Sequence, residues 1–171
     1  MLHMANGLTY KRVTPSAEAT KQLAATLAPY VRPGHVLVLT GDLGAGKTQF
    51  TQGLAAALGV KAAVVSPTFN IVLSYEDGTL PLHHFDLYRL EDADELEDIG
   101  FYEYLEGDGV TLIEWGDKFP EKLPISYLEV AIRANEEGRR TVTVHSVGEV
   151  HRRLLCLWAN DSKARLMKTP R

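Results

Sequence analysis

The sequence predicts an α/β fold: a central, mostly parallel sheet with flanking helices and antiparallel hairpin additions. Three observations carry this. His35-Val36-Leu37-Val38-Leu39-Thr40 and Val110-Thr111-Leu112-Ile113-Glu114-Trp115 are apolar runs without alternation, as in strands covered on both faces of a parallel sheet. The first run passes directly into a glycine-rich segment and then into a stretch with apolar residues at helical spacing. Two turn signals, Glu76-Asp77-Gly78 and Glu136-Glu137-Gly138, each separate a pair of strand-like segments and read as hairpins.

In chain order, Thr14-Pro15-Ser16 offers a helix start, with Thr14 or Ser16 as the cap and Glu18 in the first turn. That helix is expected to reach about Ala28, with Leu23 and Leu27 on one face. Pro33-Gly34 turns the chain into the first buried strand. After Gly41 to Gly46 the next helix carries Phe50, Leu54, Ala57 and Leu58 on one face and ends at Gly59. Asn70 to Tyr75 and Thr79 to Asp86 form the first hairpin. Acidic residues crowd Glu91 to Asp98, the pattern of a solvated helix face, and a short helical stretch follows to Leu105. Gly109 leads into the second buried strand, and Pro120 and Pro124 mark a loop. Leu128 to Arg133 and Arg140 to His145 form the second hairpin. Val147, Val150, Leu154, Leu157 and Trp158 define a final amphipathic helix, in which Cys156 reads as a core thiol.

With 171 residues, 45% hydrophobic and 23% charged, the chain has the make-up of one compact domain with a real core. The expected extent of that domain is residues 1–161, with 162–171 as a flexible basic tail. A formal net charge of −4 argues against a whole surface adapted to nucleic-acid phosphates, while leaving room for a local basic patch. The single cysteine excludes an intrachain disulfide. No apolar run approaches the ~20 residues of a membrane-spanning helix, and Met1 to Tyr10 lacks the apolar core of a secretory signal. The expectation is a soluble cytoplasmic protein without a membrane partner.

Gly41-Asp42-Leu43-Gly44-Ala45-Gly46-Lys47-Thr48 matches the pattern GxxxxGK[ST] at every fixed position, between a buried strand and an amphipathic helix. This is a P-loop, and the fold is expected to be that of P-loop NTPases. Glycines allow the backbone to approach phosphates closely. The loop amides and the helix N-terminus favour anionic oxygens. Lys47 is expected to reach the β- and γ-phosphates and the Thr48 hydroxyl to ligate Mg²⁺, with Asp42, Leu43, Gly44, Ala45, Gly46 and Gln49 completing the phosphate cradle of ATP or ADP. A magnesium site also needs an acidic group at the end of a neighbouring strand. Glu114 and Asp86 both end apolar or strand-like runs, and either would hold the ion or position the attacking water. Ser66-Pro67-Thr68 reads, from spacing alone, as a proline-stiffened turn. His83 and His84 are adjacent in a strand and point to opposite faces, so they do not share one ion.

Four blocks in this order carry a resemblance: the P-loop, Ser66-Pro67-Thr68-Phe69, His84-Phe85-Asp86-Leu87-Tyr88-Arg89, and Ile113-Glu114-Trp115. Over about residues 14 to 146 the sequence closely resembles the bacterial TsaE (YjeE) family, the ATPase component of the machinery that makes threonylcarbamoyladenosine in tRNA. The resemblance implies Thr48 and Glu114 as magnesium ligands, Asp86 as a functionally important carboxylate near the phosphates, and Ser66 to Thr68 as a switch-like loop rather than a plain turn. It implies that Thr14, Ser16, Gly138 and Arg139 lie where the family approaches the nucleotide. It implies TsaD and TsaB as partners, with tRNA met only through their complex, and Lys47, Asp86 and Glu114 as the catalytic set. Gln49 departs from the second threonine common in the family. Two other functions share a P-loop: a small-molecule kinase, for which the acidic 91–98 stretch makes a poor phosphate-closing lid, and a nucleotide-dependent scaffold with negligible hydrolysis.

Overall fold

A computed structural model of the chain describes residues 7–161. The basic tail foreseen at 162–171 lies outside the described residues. Seven strands, β1 (Thr9–Thr14), β2 (Val36–Thr40), β3 (Val72–Tyr75), β4 (Leu82–Asp86), β5 (Val110–Glu114), β6 (Tyr127–Ala134) and β7 (Arg140–Val147), form one sheet in the order β1-β7-β6-β2-β5-β4-β3. Helices α1 (Ala17–Ala25), α2 (Lys47–Ala57), α3 (Glu95–Asp98), α4 (Phe101–Leu105) and α5 (Glu149–Ala159) complete the described residues, with three short 3₁₀ turns. The centre of the sheet is parallel: β2 pairs with β5 on one side and β6 on the other, and β4 extends the parallel run beyond β5. The hairpins add antiparallel edges, β3 on β4 and β7 on β6, as the two turn signals predict.

β1 was not foreseen in the sequence. It pairs antiparallel with β7 from Thr9 opposite His145 to Thr14 opposite Arg140. Its burial follows no clean alternation, and Lys11 and Arg12 give it the charged character of an edge strand. Ser16, not Thr14, caps α1, accepting from the Ala19 amide at 3.1 Å. Thr14 instead turns inward, its hydroxyl 2.7 Å from that of Thr20.

The sheet is covered on both faces, which explains the unbroken apolar runs. Alternate residues Leu37 and Leu39 of β2 join Phe50 and Leu54 of α2 and Leu23 and Leu27 of the α1 segment in one core. Val36 and Val38 point the other way and pack with Phe85, Ile113, Leu96 and Phe101. Helices α1 and α2 cross at Gly53, where an added Cβ would lie 2.2 Å from the Lys21 carbonyl oxygen. Three expectations about buried faces need correction. Ala57 is exposed, and Ala55 takes its place in the core. Val147 ends β7, while Val150 and Leu157 of α5 are exposed; α5 buries His151, Leu154, Leu155 and Trp158. Cys156 accordingly lies on the solvent side of α5, not in the core. α5 starts at Glu149, two residues after Val147, and turns the stripe carrying His151, not that carrying Val150 and Leu157, to the core. No described helix is long and apolar enough to cross a membrane.

Candidate active site

The carboxyl ends of β2, β5 and β4 stand side by side, and each delivers a functional group. Such strand ends are where open parallel α/β sheets bind their ligands. β2 runs into the P-loop, whose glycines take conformations other residues resist: φ is +145° at Gly41, +80° at Gly44 and +119° at Gly46. Close approach adds a second constraint. A Cβ on Gly41 would come 2.4 Å from the Ile132 carbonyl oxygen, and one on Gly46 would come 2.8 Å from Arg140 Nε. Leu43 stands fully exposed on the loop and Ala45 is buried beneath it.

Lys47, the first residue of α2, is 8% exposed yet carries an ammonium group. It donates to the Gly41 carbonyl at 2.8 Å and lies 3.8 Å from Glu114 Oε1. A buried lysine paired in this way is held beneath the loop, aimed along it. Its ammonium also sits 5.1 Å from the ring centroid of Trp115, within range of a cation–π contact. Trp115 reaches that position by leaving β5 with a φ of +61°, uncommon for a large side chain, and its ring rests 4.9 Å from that of Tyr88.

β4 and β5 are in register with Asp86 opposite Glu114, so the two carboxylates emerge on the same face at neighbouring strand ends. Both are nearly buried, at 4% exposed each. Their partners differ. Glu114 takes His84 Nε2 at 2.8 Å on one oxygen and faces Lys47 with the other. Asp86 accepts the Tyr88 amide at 2.9 Å on Oδ1 and the Thr68 hydroxyl at 2.9 Å on Oδ2. Because Thr68 donates to Asp86, Ser66, 2.9 Å away, donates to Thr68. The Ser66-Pro67-Thr68 segment is therefore coupled to the β4 carboxylate by a chain of hydroxyls. Pro67 is buried, and its carbonyl accepts from the Asn70 and Ile71 amides. Ile71 follows with a φ of +66°, a strained setting for a β-branched residue. Phe69, 83% exposed, has the Arg89 guanidinium 5.2 Å above its ring.

These groups meet in one cavity of about 460 Å³, lined by the loop from Asp42 to Gly44, by Gly46 to Gln49, and by Ser66, Thr68, Asp86, Tyr88, Glu114 and Trp115. A second hollow of about 430 Å³ shares Asp42, Lys47 and Trp115 with it and extends past Gly41 towards Ile132 and Arg133 of β6. The oxygens of Thr48, Asp86 and Glu114 are a hard donor set of the kind Mg²⁺ takes, and its usual complement of waters and phosphate oxygens would complete the shell. Among the described residues no group of three or more His, Cys, Asp or Glu side chains forms a metal site by itself.

Thr14, Ser16, Gly138 and Arg139 do not line this cavity. Gly138 and Arg139 form the tip of the β6–β7 hairpin, with Gly138 at φ +82° and the Arg139 amide bonded to Asn135 Oδ1. The link from that flank to the loop is Arg140, opposite Thr14 in the β1–β7 pair. Its Nε donates to the Ala45 carbonyl at 3.1 Å and its Nη1 to the Gly138 carbonyl at 3.1 Å. Sequence reasoning gave Arg140 no role, and weighed His84 only as an ion-sharing partner of His83, not as a partner of Glu114. A signal for His84 was available: a histidine two residues before Asp86 shares its face of the strand.

A family model described as threonylcarbamoyl adenosine biosynthesis protein TsaE matches residues 14–142. The tRNA threonylcarbamoyladenosine biosynthesis protein TsaE of Bacillus subtilis (strain 168) is 46% identical over 149 residues, covering 87% of this chain and 91% of that protein. The protein of the same description from Treponema pallidum (strain Nichols) is 39% identical over 132 residues, 77% of this chain and 97% of its own. The crystal structure of YdiB from Bacillus subtilis superposes with a TM-score of 0.79 at 38% identity, over 92% of this chain and 97% of that one.

Proposed function

The chain belongs to the TsaE family, and on that premise we propose that it is a Mg²⁺-dependent ATPase of tRNA threonylcarbamoyladenosine (t6A37) biosynthesis, working in the cytoplasm on the complex of TsaB and TsaD. The observation that carries the proposal is the convergence of Lys47, Thr48, Asp86 and Glu114 on one cavity at the P-loop. Lys47 and the loop amides bind the β- and γ-phosphates and meet the charge that spreads over the γ-phosphoryl oxygens as the bond to the leaving group breaks. Thr48 and Glu114 are the residues that would hold Mg²⁺, which supplies charge neutralisation on the phosphates.

The strand order suggests a division between the two carboxylates. Glu114 lies on β5, next to the P-loop strand, and already faces Lys47; Asp86 lies one strand further out, on β4. Asp86 is thus the better candidate to accept a hydrogen bond from the attacking water, and Thr68 holds its Oδ2 in place. The Ser66–Thr68 hydroxyls make the same carboxylate sensitive to the conformation of the switch-like loop.

Among the described residues no arginine lines the cavity, Arg133 lines only the adjoining hollow, and Arg140 is engaged by loop and hairpin carbonyls on the far flank. Among the described residues Lys47 is therefore the one side-chain cation that meets transition-state charge beside the loop amides and Mg²⁺, and isolated turnover is slow. A partner that supplies a cation or orders the 66–68 loop would raise it; in switch-type P-loop enzymes such completion is worth roughly 10³ to 10⁵ in rate. The test is ATP turnover alone and with the TsaB–TsaD pair, read beside tRNA modification. Equal rates defeat the proposal of a partner-completed site. Phosphate released without any added acceptor separates an ATPase from a kinase. Retained partner function in Glu114→Gln and Asp86→Asn, with loss in Lys47→Ala, would mark a nucleotide-dependent scaffold instead.

A further inference from the structure

We infer that His84 is a positioning residue of this site: by donating from Nε2 to Glu114 Oε2 it fixes the carboxylate so that Oε1 faces Lys47 and the cavity. The inference rests on the reading of Glu114 as the acidic Mg²⁺ ligand.

His84 is wholly buried, in β4 two residues before Asp86 and on the same face. Residues of that face on either side of it, Leu82 on its own strand and Leu112 opposite it on β5, belong to the apolar core under the P-loop helix. An imidazole among leucines is costly unless its nitrogens are bonded. Here only one is. Nε2 lies 2.8 Å from Glu114 Oε2, while Nδ1 is buried without a hydrogen-bond partner among the described residues. Since a carboxylate only accepts, Nε2 carries the hydrogen and donates it to Glu114.

His151, the most deeply buried of the other described histidines, is different. His151 uses both nitrogens, accepting the Val36 amide at Nε2 and bonding the Ser126 hydroxyl at Nδ1. His151 satisfies both ends; His84 satisfies one and leaves the other fully buried, and the one it satisfies is the metal-site glutamate. Leucine at 84 would pack against the same neighbours without an orphaned nitrogen. What it would lose is the donor that removes a rotational freedom from Glu114. Partners that orient ligating carboxylates in this way are worth roughly 10- to 100-fold in metal affinity or activity.

The experiment compares full-length wild type with His84→Leu, His84→Gln and Glu114→Gln. Mn²⁺ binding to the ADP-loaded protein is measured by electron paramagnetic resonance, with metal-free ADP affinity and ATP turnover alongside. His84→Leu is expected to weaken Mn²⁺ binding roughly 10- to 100-fold while metal-free ADP affinity stays at the wild-type level. His84→Gln, whose side-chain amide restores a donor, is expected to recover most of the loss. Wild-type Mn²⁺ binding in His84→Leu overturns the inference, as does an equal loss in Leu and Gln variants accompanied by lost ADP affinity, which marks a purely structural role. Glu114→Gln separates the premise: if it leaves Mn²⁺ binding unchanged, Glu114 is not the ligand; if it abolishes binding while His84→Leu does not, His84 alone is refuted.

Discussion

Gly53→Ala sets two opposing effects of known size against each other. Gly53 is a buried position inside α2, and alanine in a helix interior is favoured over glycine by about 1 kcal/mol. The new Cβ, however, would lie 2.2 Å from the Lys21 carbonyl oxygen, 2.5 Å from its Cα and 2.7 Å from its carbonyl carbon. All three are backbone atoms of α1, so no rotamer change relieves the overlap and the helices must separate. Overpacking of this kind costs about 1–3 kcal/mol, and the overlap with main chain puts it at the upper end. The net is a destabilisation of about 2 kcal/mol, or roughly 4–8 °C in Tm for a domain of this size. Gly53 is nearly two turns beyond Lys47, so the KM for ATP should move little. Urea unfolding at constant m-value and calorimetry read the effect. A Tm at or above that of wild type would falsify the reasoning, because propensity would then have outweighed a contact claimed to be too close.

The site yields its own expectations. Thr68→Val removes a hydrogen bond to a carboxylate, worth about 1.5–3 kcal/mol; turnover should fall by roughly one to two orders of magnitude with ADP affinity retained, and unchanged kcat would show that the loop does not govern Asp86. Trp115→Ala deletes the ring beside Lys47 and Tyr88, and nucleotide affinity measured by calorimetry should drop by about 2- to 5-fold, in line with about 0.5–1 kcal/mol for such a contact. Burial, with His35 nearby, pushes the His151 imidazole down to about 4. The fold therefore keeps the neutral ring, and the stability it contributes is complete above the ordinary value near 6.5 and is lost as pH falls from there to about 4, on the order of 3 kcal/mol at most. The urea midpoint should decline across that window, and less steeply in His151→Gln; a midpoint flat from pH 7 to 4.5 would contradict it.

The parts of the site legible in the sequence are those whose chemistry lies in consecutive residues. Gly41 to Thr48 announces itself because glycine spacing, lysine and hydroxyl are all local, and Glu114 and Asp86 because each closes a strand. His84 was readable only halfway. Its shared face with Asp86 follows from alternation, but its bond to Glu114 depends on the β4–β5 register, with Asp86 opposite Glu114, which no local pattern encodes. Arg140 is further out of reach: its partner Ala45 is 95 residues away and meets it only because β7 folds back beside the loop. β1 escaped notice because an edge strand with Lys11 and Arg12 lacks the apolar signature of its neighbours. Cys156, Val150 and Leu157 show the converse, since α5 carries apolar residues on both sides and apolar character alone does not fix which side faces the core.

The position of His84 and Asp86 at alternate residues of β4, like Leu112 and Glu114 on β5, makes the site a matter of parity. A strand has two settings and nothing between them. One residue inserted within β4 ahead of Asp86 would exchange the two faces, turning the preceding histidine towards Phe101 and carrying other side chains under the P-loop. Chain length between Leu87 and Gly109 is under no such rule, because loop closure depends only weakly on the number of residues spanned. Natural or engineered length changes should therefore be admitted in the acidic 91–98 region and refused in the five-residue strands on either side of it.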